Sequence, residues 1–126
     1  MNLRSHSILV IEDDESLLSL FMKVLQRASY EVRSAGTLTQ ANGALISKEF
    51  DVVVCDLSVA GDLSIFDFVS TIQSRRPQTI VMVITGYSSE EVLARARSTE
   101  LEVMEKPFTP VDLLNRITSL LAQRAA

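Results

Sequence analysis

Three short apolar runs and one alternating segment in this chain end on a side chain that could do chemistry. Val52-Val53-Val54-Cys55 runs into Asp56, and Ile8-Leu9-Val10-Ile11 runs into Glu12-Asp13-Asp14-Glu15. Ile80 to Ile84 runs into Thr85, and Leu101 to Glu105 is followed by Lys106-Pro107-Phe108. Carboxylates without a nearby histidine or cysteine pair offer oxygen donors only. Such donors suit a hard cation, and Mg²⁺ takes one or two carboxylates together with waters and a phosphate. An aspartate can act as a nucleophile when its charge is offset, and a hydroxyl and an ammonium can hold the oxygens of a transferred phosphoryl group. Each residue also has a plainer reading: an acidic rim in solvent, a threonine capping its loop, a lysine in a surface ion pair. Their coincidence at four strand ends favours the chemical reading.

The elements that must position these residues follow from periodicity. The runs at 8–11, 52–55 and 80–84 are apolar throughout, as in strands buried on both faces. The segments at 30–35 and 101–105 alternate and read as edge strands. Between them lie helical stretches. Leu17, Leu18, Phe21, Met22 and Leu25 form one face of a helix over 16–29. Thr37 with Gln40 has capping-box spacing, and Leu38, Ala41 and Leu45 form an inner face. Ser58 to Leu63 reads as a loop, with Ser64 and Asp67 capping the next helix and Pro77 ending it. Ser88 with Glu91 opens a helix whose apolar face (Val92, Leu93, Ala96) is thin. Thr109-Pro110-Val111-Asp112 opens the last, whose face is Leu113, Leu114, Ile117, Leu120 and Leu121.

Five strands alternating with five helices predict an α/β fold, a flavodoxin-like (βα)5 three-layer sandwich. Its parallel five-stranded sheet takes the order 2-1-3-4-5, which puts the apolar strands in the centre. Strands 1 and 3 are neighbours in that order, so Glu12, Asp13 and Asp56 are expected to converge at the switch point.

The chain has 126 residues, enough for one domain with a hydrophobic core. Its apolar share of 47% with 22% charged residues is ordinary for a globular protein. The net charge of -4 weighs against direct nucleic-acid binding. No apolar run approaches the roughly 18 residues of a membrane span, and no signal peptide opens the chain. A cytoplasmic location without membrane contact is the expectation. Cys55 is the only cysteine and reads as a core residue. His6 reads as part of a solvated polar arm.

From about residue 7 to residue 123 the chain resembles the receiver domains of two-component response regulators. ILVIEDDE, VVVCDL, VITGY and EKPF carry the resemblance. It implies a single receiver domain over 1–126, with Mg²⁺ held by Glu12, Asp13, Asp56 and the backbone carbonyl of Ser58. It further implies that Asp56 accepts a phosphoryl group from a phosphohistidine on a sensor histidine kinase or a phosphotransfer protein, with Thr85 and Lys106 binding the phosphoryl oxygens. The domain would catalyse only its own phosphorylation and dephosphorylation, and the Lys106-Pro107 bond would be cis. The sequence stops just after helix 5, as expected of either a stand-alone regulator or a receiver excised from a longer regulator or hybrid kinase. An output partner is expected on the helix 4–strand 5–helix 5 face, which could also serve self-association into a homodimer.

Some positions depart from the family. Ala60 stands where a proline is common, and Ser98-Thr99-Glu100-Leu101 replaces a common Ala-Gly-Ala. Val103 takes the place of an aromatic switch residue, and Tyr87 is the nearest aromatic that could shield an acyl phosphate. A pseudo-receiver, the same fold used as a phosphorylation-independent interaction module, is the alternative. A flavin carrier is discounted, because acids occupy the loop that would cradle its phosphate.

Overall fold

A computed structural model describes residues 5–59, 62–86, 90–99 and 101–125. The elements run β1 (Ser7–Ile11), α1 (Glu15–Arg27), β2 (Glu31–Ala35), α2 (Leu38–Ser47), β3 (Val52–Asp56), α3 (Asp62–Arg75), β4 (Ile80–Thr85), α4 (Glu90–Ser98), β5 (Glu102–Glu105) and α5 (Pro110–Ala125). The strands form one parallel sheet in the order β2-β1-β3-β4-β5, as expected.

Strand alternation divides the core into two layers. Leu9, Ile11, Val53, Cys55, Val81 and Val83 point to one face, where α2, α3 and α4 supply Ala41, Ala44, Ile65, Phe66, Val69, Ile72 and Ala96. Ile8, Val10, Val52, Val54, Met82 and Ile84 point to the other, against Phe21 and Leu25 of α1 and Leu113, Ile117, Leu120 and Leu121 of α5. Burial on both sides explains why β1, β3 and β4 are apolar throughout. The edge strands β2 and β5 cover less and keep polar residues.

Capping sets the helix ends. Asp14 Oδ1 accepts from Leu17 N at 3.1 Å to start α1. That helix stops at Arg27, short of the expected Ser29. Ser29 adopts φ 70°, its N–H bonds Gln26 O, and Tyr30 N–H bonds Leu25 O, a Schellman closure. Thr37 Oγ1 accepts from Gln40 N, as the capping spacing suggests, but Gln40 Oε1 accepts from Gly36 N, one residue before the cap, so the reciprocal half is displaced. Thr109 and Asp112 cap each other reciprocally at the start of α5.

One expectation needs correction here. Helix α3 begins at Asp62, so Ser64 is its third residue and cannot cap it, and the loop after β3 is shorter than Ser58–Leu63. His6 is exposed, as expected of a solvated residue, while its Nδ1 lies 3.4 Å from Asp51 Oδ2 and its ring centroid 6.4 Å from that of Tyr30. Ala60, Gly61, Tyr87, Ser88 and Glu100 lie outside the described residues. No helix among the described residues is long and apolar enough to cross a membrane.

Candidate functional site

The carboxyl ends of β1, β3, β4 and β5 meet at one edge of the sheet. Ile11 pairs in register with Cys55, so Glu12 and Asp56 lie side by side one residue further on. Alternation puts both on the α1–α5 face with Val10 and Val54, and both are 2% exposed. Burial pushes the Glu12 carboxyl up to about 8, reinforced by hydrogen bonding to Asp56 and opposed by Asp14 N, which donates to Glu12 Oε1 at 3.1 Å.

Burial also acts to raise Asp56, but donors outweigh it and leave the group below its ordinary value. Glu12 and Lys106 contribute, and Ser58 donates twice to Oδ1, from its backbone N at 2.9 Å and its Oγ at 2.7 Å. On the other oxygen, Lys106 Nζ sits 2.8 Å from Asp56 Oδ2. Oδ2 nevertheless lacks a well-directed hydrogen bond, so the contact is an ion pair. Burial works against the Lys106 charge, and Asp56 more than restores it. Lys106 is placed by its own backbone, whose N–H donates to Thr85 O at 2.8 Å, and by the cis Lys106-Pro107 bond. Phe108 then stacks on Phe21 of α1 with centroids 5.9 Å apart.

Thr85 is buried at the end of β4, and its Oγ1 has no hydrogen-bond partner among the described residues. Glu12 Oε2 is likewise unpartnered. Buried polar oxygens seldom go unpaired, because each forfeits its hydration. One carboxylate oxygen and one hydroxyl in that condition, beside an Asp56 oxygen held by an ion pair, suit a bound cation and an anionic group at this sheet edge. The expected convergence of three acids is only partly met. Among the described residues, no group of three or more carboxylate, imidazole or thiol side chains stands close enough to hold an ion. Asp13 is exposed and acts on Lys106 through its charge. The reason is positional: β1 ends at Ile11, and Asp13 lies in the bend beyond it, where strand alternation no longer holds a side chain against the sheet.

The chain matches the model of the response regulator receiver domain over residues 8–118. It belongs to that family. This receiver is 29% identical over 124 residues to the transcriptional regulatory protein GltR of Pseudomonas aeruginosa, covering 96% of this chain and 51% of the relative. It is 32% identical over 115 residues to the response regulator protein PilR of the same species, covering 90% of this chain and 25% of the relative. The receiver thus spans about half or less of the curated relatives it matches. Its fold superimposes on a CheY-like receiver domain protein from Methanospirillum hungatei with a TM-score of 0.88 at 24% identity, covering 97% and 98% of the two chains. A beryllofluoride-activated NtrC4 receiver domain dimer gives a TM-score of 0.83 at 29% identity, covering 94% and 98%.

The receiver's sequence reading missed the Ser58 side chain, which holds Asp56 Oδ1 with its hydroxyl as well as its N–H. A serine two residues after a strand-end aspartate is an available signal, since that offset suits an Asx-type turn. Val103 is half-buried and packs against the core layer that contains Val83. Cys55 is fully buried, its thiol pushed up to about 12 by burial and by the Asp56 charge, as suits a core residue.

Proposed function

We propose that this receiver is an Mg²⁺-dependent phosphoacceptor in a two-component phosphorelay, working as a single unit over residues 7–123. Asp56 takes the phosphoryl group from a phosphohistidine of a sensor histidine kinase or phosphotransfer protein. A lone pair on an Asp56 carboxylate oxygen forms the new P–O bond as the P–N bond breaks. The freed electron pair stays on the imidazole nitrogen, which is protonated from solvent. Asp56 is 2% exposed and ionised, held in position by Ser58 through Oδ1, so little reorganisation is needed before attack. Lys106 stands 2.8 Å from Oδ2, where it can stay with the incoming phosphoryl oxygens, and the unpartnered Thr85 hydroxyl can donate to another.

Glu12, Asp13, Asp56 and the Ser58 carbonyl are the residues that would hold Mg²⁺. Bound there, the ion would offset the carboxylate charges and those of the phosphoryl group. The observation that carries the reading is the ion pair of buried Asp56 with Lys106, beside the unpartnered oxygens of Glu12 and Thr85.

Once phosphorylated, Asp56 would draw the Thr85 hydroxyl toward it and bias the α4–β5–α5 face toward an output partner. A cytoplasmic location fits this role. The test is incubation with acetyl phosphate, or with beryllofluoride, in the presence of Mg²⁺. Intact-mass and NMR measurements should show modification of the parent and none of Asp56→Asn. An unmodified parent under both regimes would make the pseudo-receiver the better reading.

A further inference from the structure

Helix α2 faces solvent but carries no charged residue, whereas each of the other four helices carries at least three. Its outer face is Thr39, Asn42, Gly43 and Ile46, all exposed. Ile46 is 73% exposed, more than Leu20 or Val111, the other large apolar residues left in solvent among those described. A Cβ added at Gly43 would meet nothing within 4 Å. A mid-helix glycine costs roughly 0.5–1 kcal/mol relative to alanine, and no neighbour in this chain uses the space it leaves.

Beside this face lies a cavity of about 280 Å³ between α2 and α3. Ile46 itself forms part of its wall with Leu45, Phe68 and Ile72, and Arg75 and Arg76 also line it. Arg76 is tied to Leu45 O at 3.3 Å and to Glu49 Oε1 at 3.1 Å. Arg75 is exposed and forms no ion pair among the described residues, while Glu49 is 82% exposed. The patch therefore holds a protruding apolar side chain, a hollow, a free cation and an accessible anion side by side. A two-fold interface requires one surface to be complementary to itself, and this patch carries both an apolar side chain with a hollow and charges of opposite sign.

We propose that the α2–α3 face is a homodimer interface, in which Ile46 of each copy enters the α2–α3 cavity of the other. Gly43 permits close approach of the two α2 helices, and Arg75 of one copy faces Glu49 of the other. The occupant is a second copy of this chain. The face is distinct from α4–β5–α5, and the proposal does not depend on phosphoryl transfer.

Sedimentation equilibrium on the full unphosphorylated chain, from micromolar to millimolar concentration, tests it. The parent should dimerise with concentration. Ile46→Glu and Gly43→Leu should each weaken dimerisation roughly tenfold or more, with unchanged circular dichroism because both positions are exposed. Arg75→Glu should weaken it, and adding Glu49→Arg should restore it. Arg116→Ala, beside β5, should leave it unchanged. A parent that stays monomeric throughout, or a dimer indifferent to Ile46→Glu and Gly43→Leu, would overturn the proposal.

Discussion

Lys106 Nζ lies 2.8 Å from Asp56 Oδ2, an ion pair between a buried strand-end carboxylate and a lysine 36% exposed at the rim. The pair has two consequences, one for chemistry and one for stability. Removing the ammonium leaves Asp56 buried with a charge that Glu12 and Ser58 must compensate. Loss of one partner of a fully buried pair costs about 3–5 kcal/mol; solvent reaches Lys106, so Lys106→Met is expected to cost about 1–2 kcal/mol. Adding Asp56→Asn should recover much of that loss, because the uncompensated charge goes with it. Urea unfolding of the two single variants, the double variant and the parent checks the cycle.

Glu12 makes stability depend on pH in metal-free buffer. The unfolded carboxyl loses its proton near 4.5, whereas the native one keeps it up to about 8. Between those values the native state binds more protons, so stability falls as pH rises through the window and levels off above it. Glu12→Gln is expected to flatten this slope in thermal melts. A divalent cation would need the ionised carboxylate, so Mg²⁺ should raise the melting temperature more at the alkaline end of the window than at the acid end.

The sheet and most of this site could be read from the residues themselves because a single parity rule governs both. Uninterrupted apolar runs at 8–11, 52–55 and 80–84 can be buried only in central parallel strands, and their order places Glu12 next to Asp56. Lys106 and Thr85 follow from the same strand ends. Asp13 lies in the bend past the end of β1, where alternation no longer applies, and the reading of a three-acid cluster extended the convergence to it. Ser58 was recognised for its carbonyl and not for its hydroxyl, since side-chain bonds within a tight turn leave no periodic trace. The start of α3 at Asp62 was hidden for a related reason: Ser64 and Asp67 have capping spacing, but that spacing also occurs inside a helix. The cavity under Ile46 depends on how α2 and α3 sit together, and no single segment encodes that.

At the opposite edge of the sheet, Asp51 joins three elements. Its Oδ2 accepts from Ser7 N at 2.8 Å and its Oδ1 from Arg124 Nη2 at 3.0 Å, while Arg124 Nη1 reaches Gln78 O. Burial works to raise the Asp51 carboxyl, but the Ser7 N–H and the Arg124 guanidinium outweigh it and hold it below the ordinary 3.8. A depressed native value contributes stability that is complete above the unfolded value and is lost as pH falls through the native one. Asp51→Asn and Arg124→Met are each expected to flatten the acid limb of the stability profile below about pH 4. Chemical denaturation across acid pH reads this directly. Arg124→Met should also fray the last turn of α5, visible as faster amide exchange there.

Gly43 offers a case in which stability and the proposed association should move apart. It lies inside α2, where glycine surrenders more backbone freedom on folding than alanine does. The added methyl of Gly43→Ala would meet nothing within 4 Å in its own chain, so no packing penalty offsets the gain in helix propensity. The variant is expected to unfold at higher urea, by about 0.5–1 kcal/mol, with an unchanged denaturant slope. Measured at concentrations where the chain is monomeric, that gain isolates the intrinsic cost of the glycine. The bulkier Gly43→Leu should show a similar gain in the monomer, since leucine is also a good helix former and its side chain projects into solvent. In the concentrated protein the same leucine would stand between two approaching α2 helices and hold them apart. A residue whose replacement stabilises the monomer while weakening the dimer is placed for contact between copies and not for the fold of one.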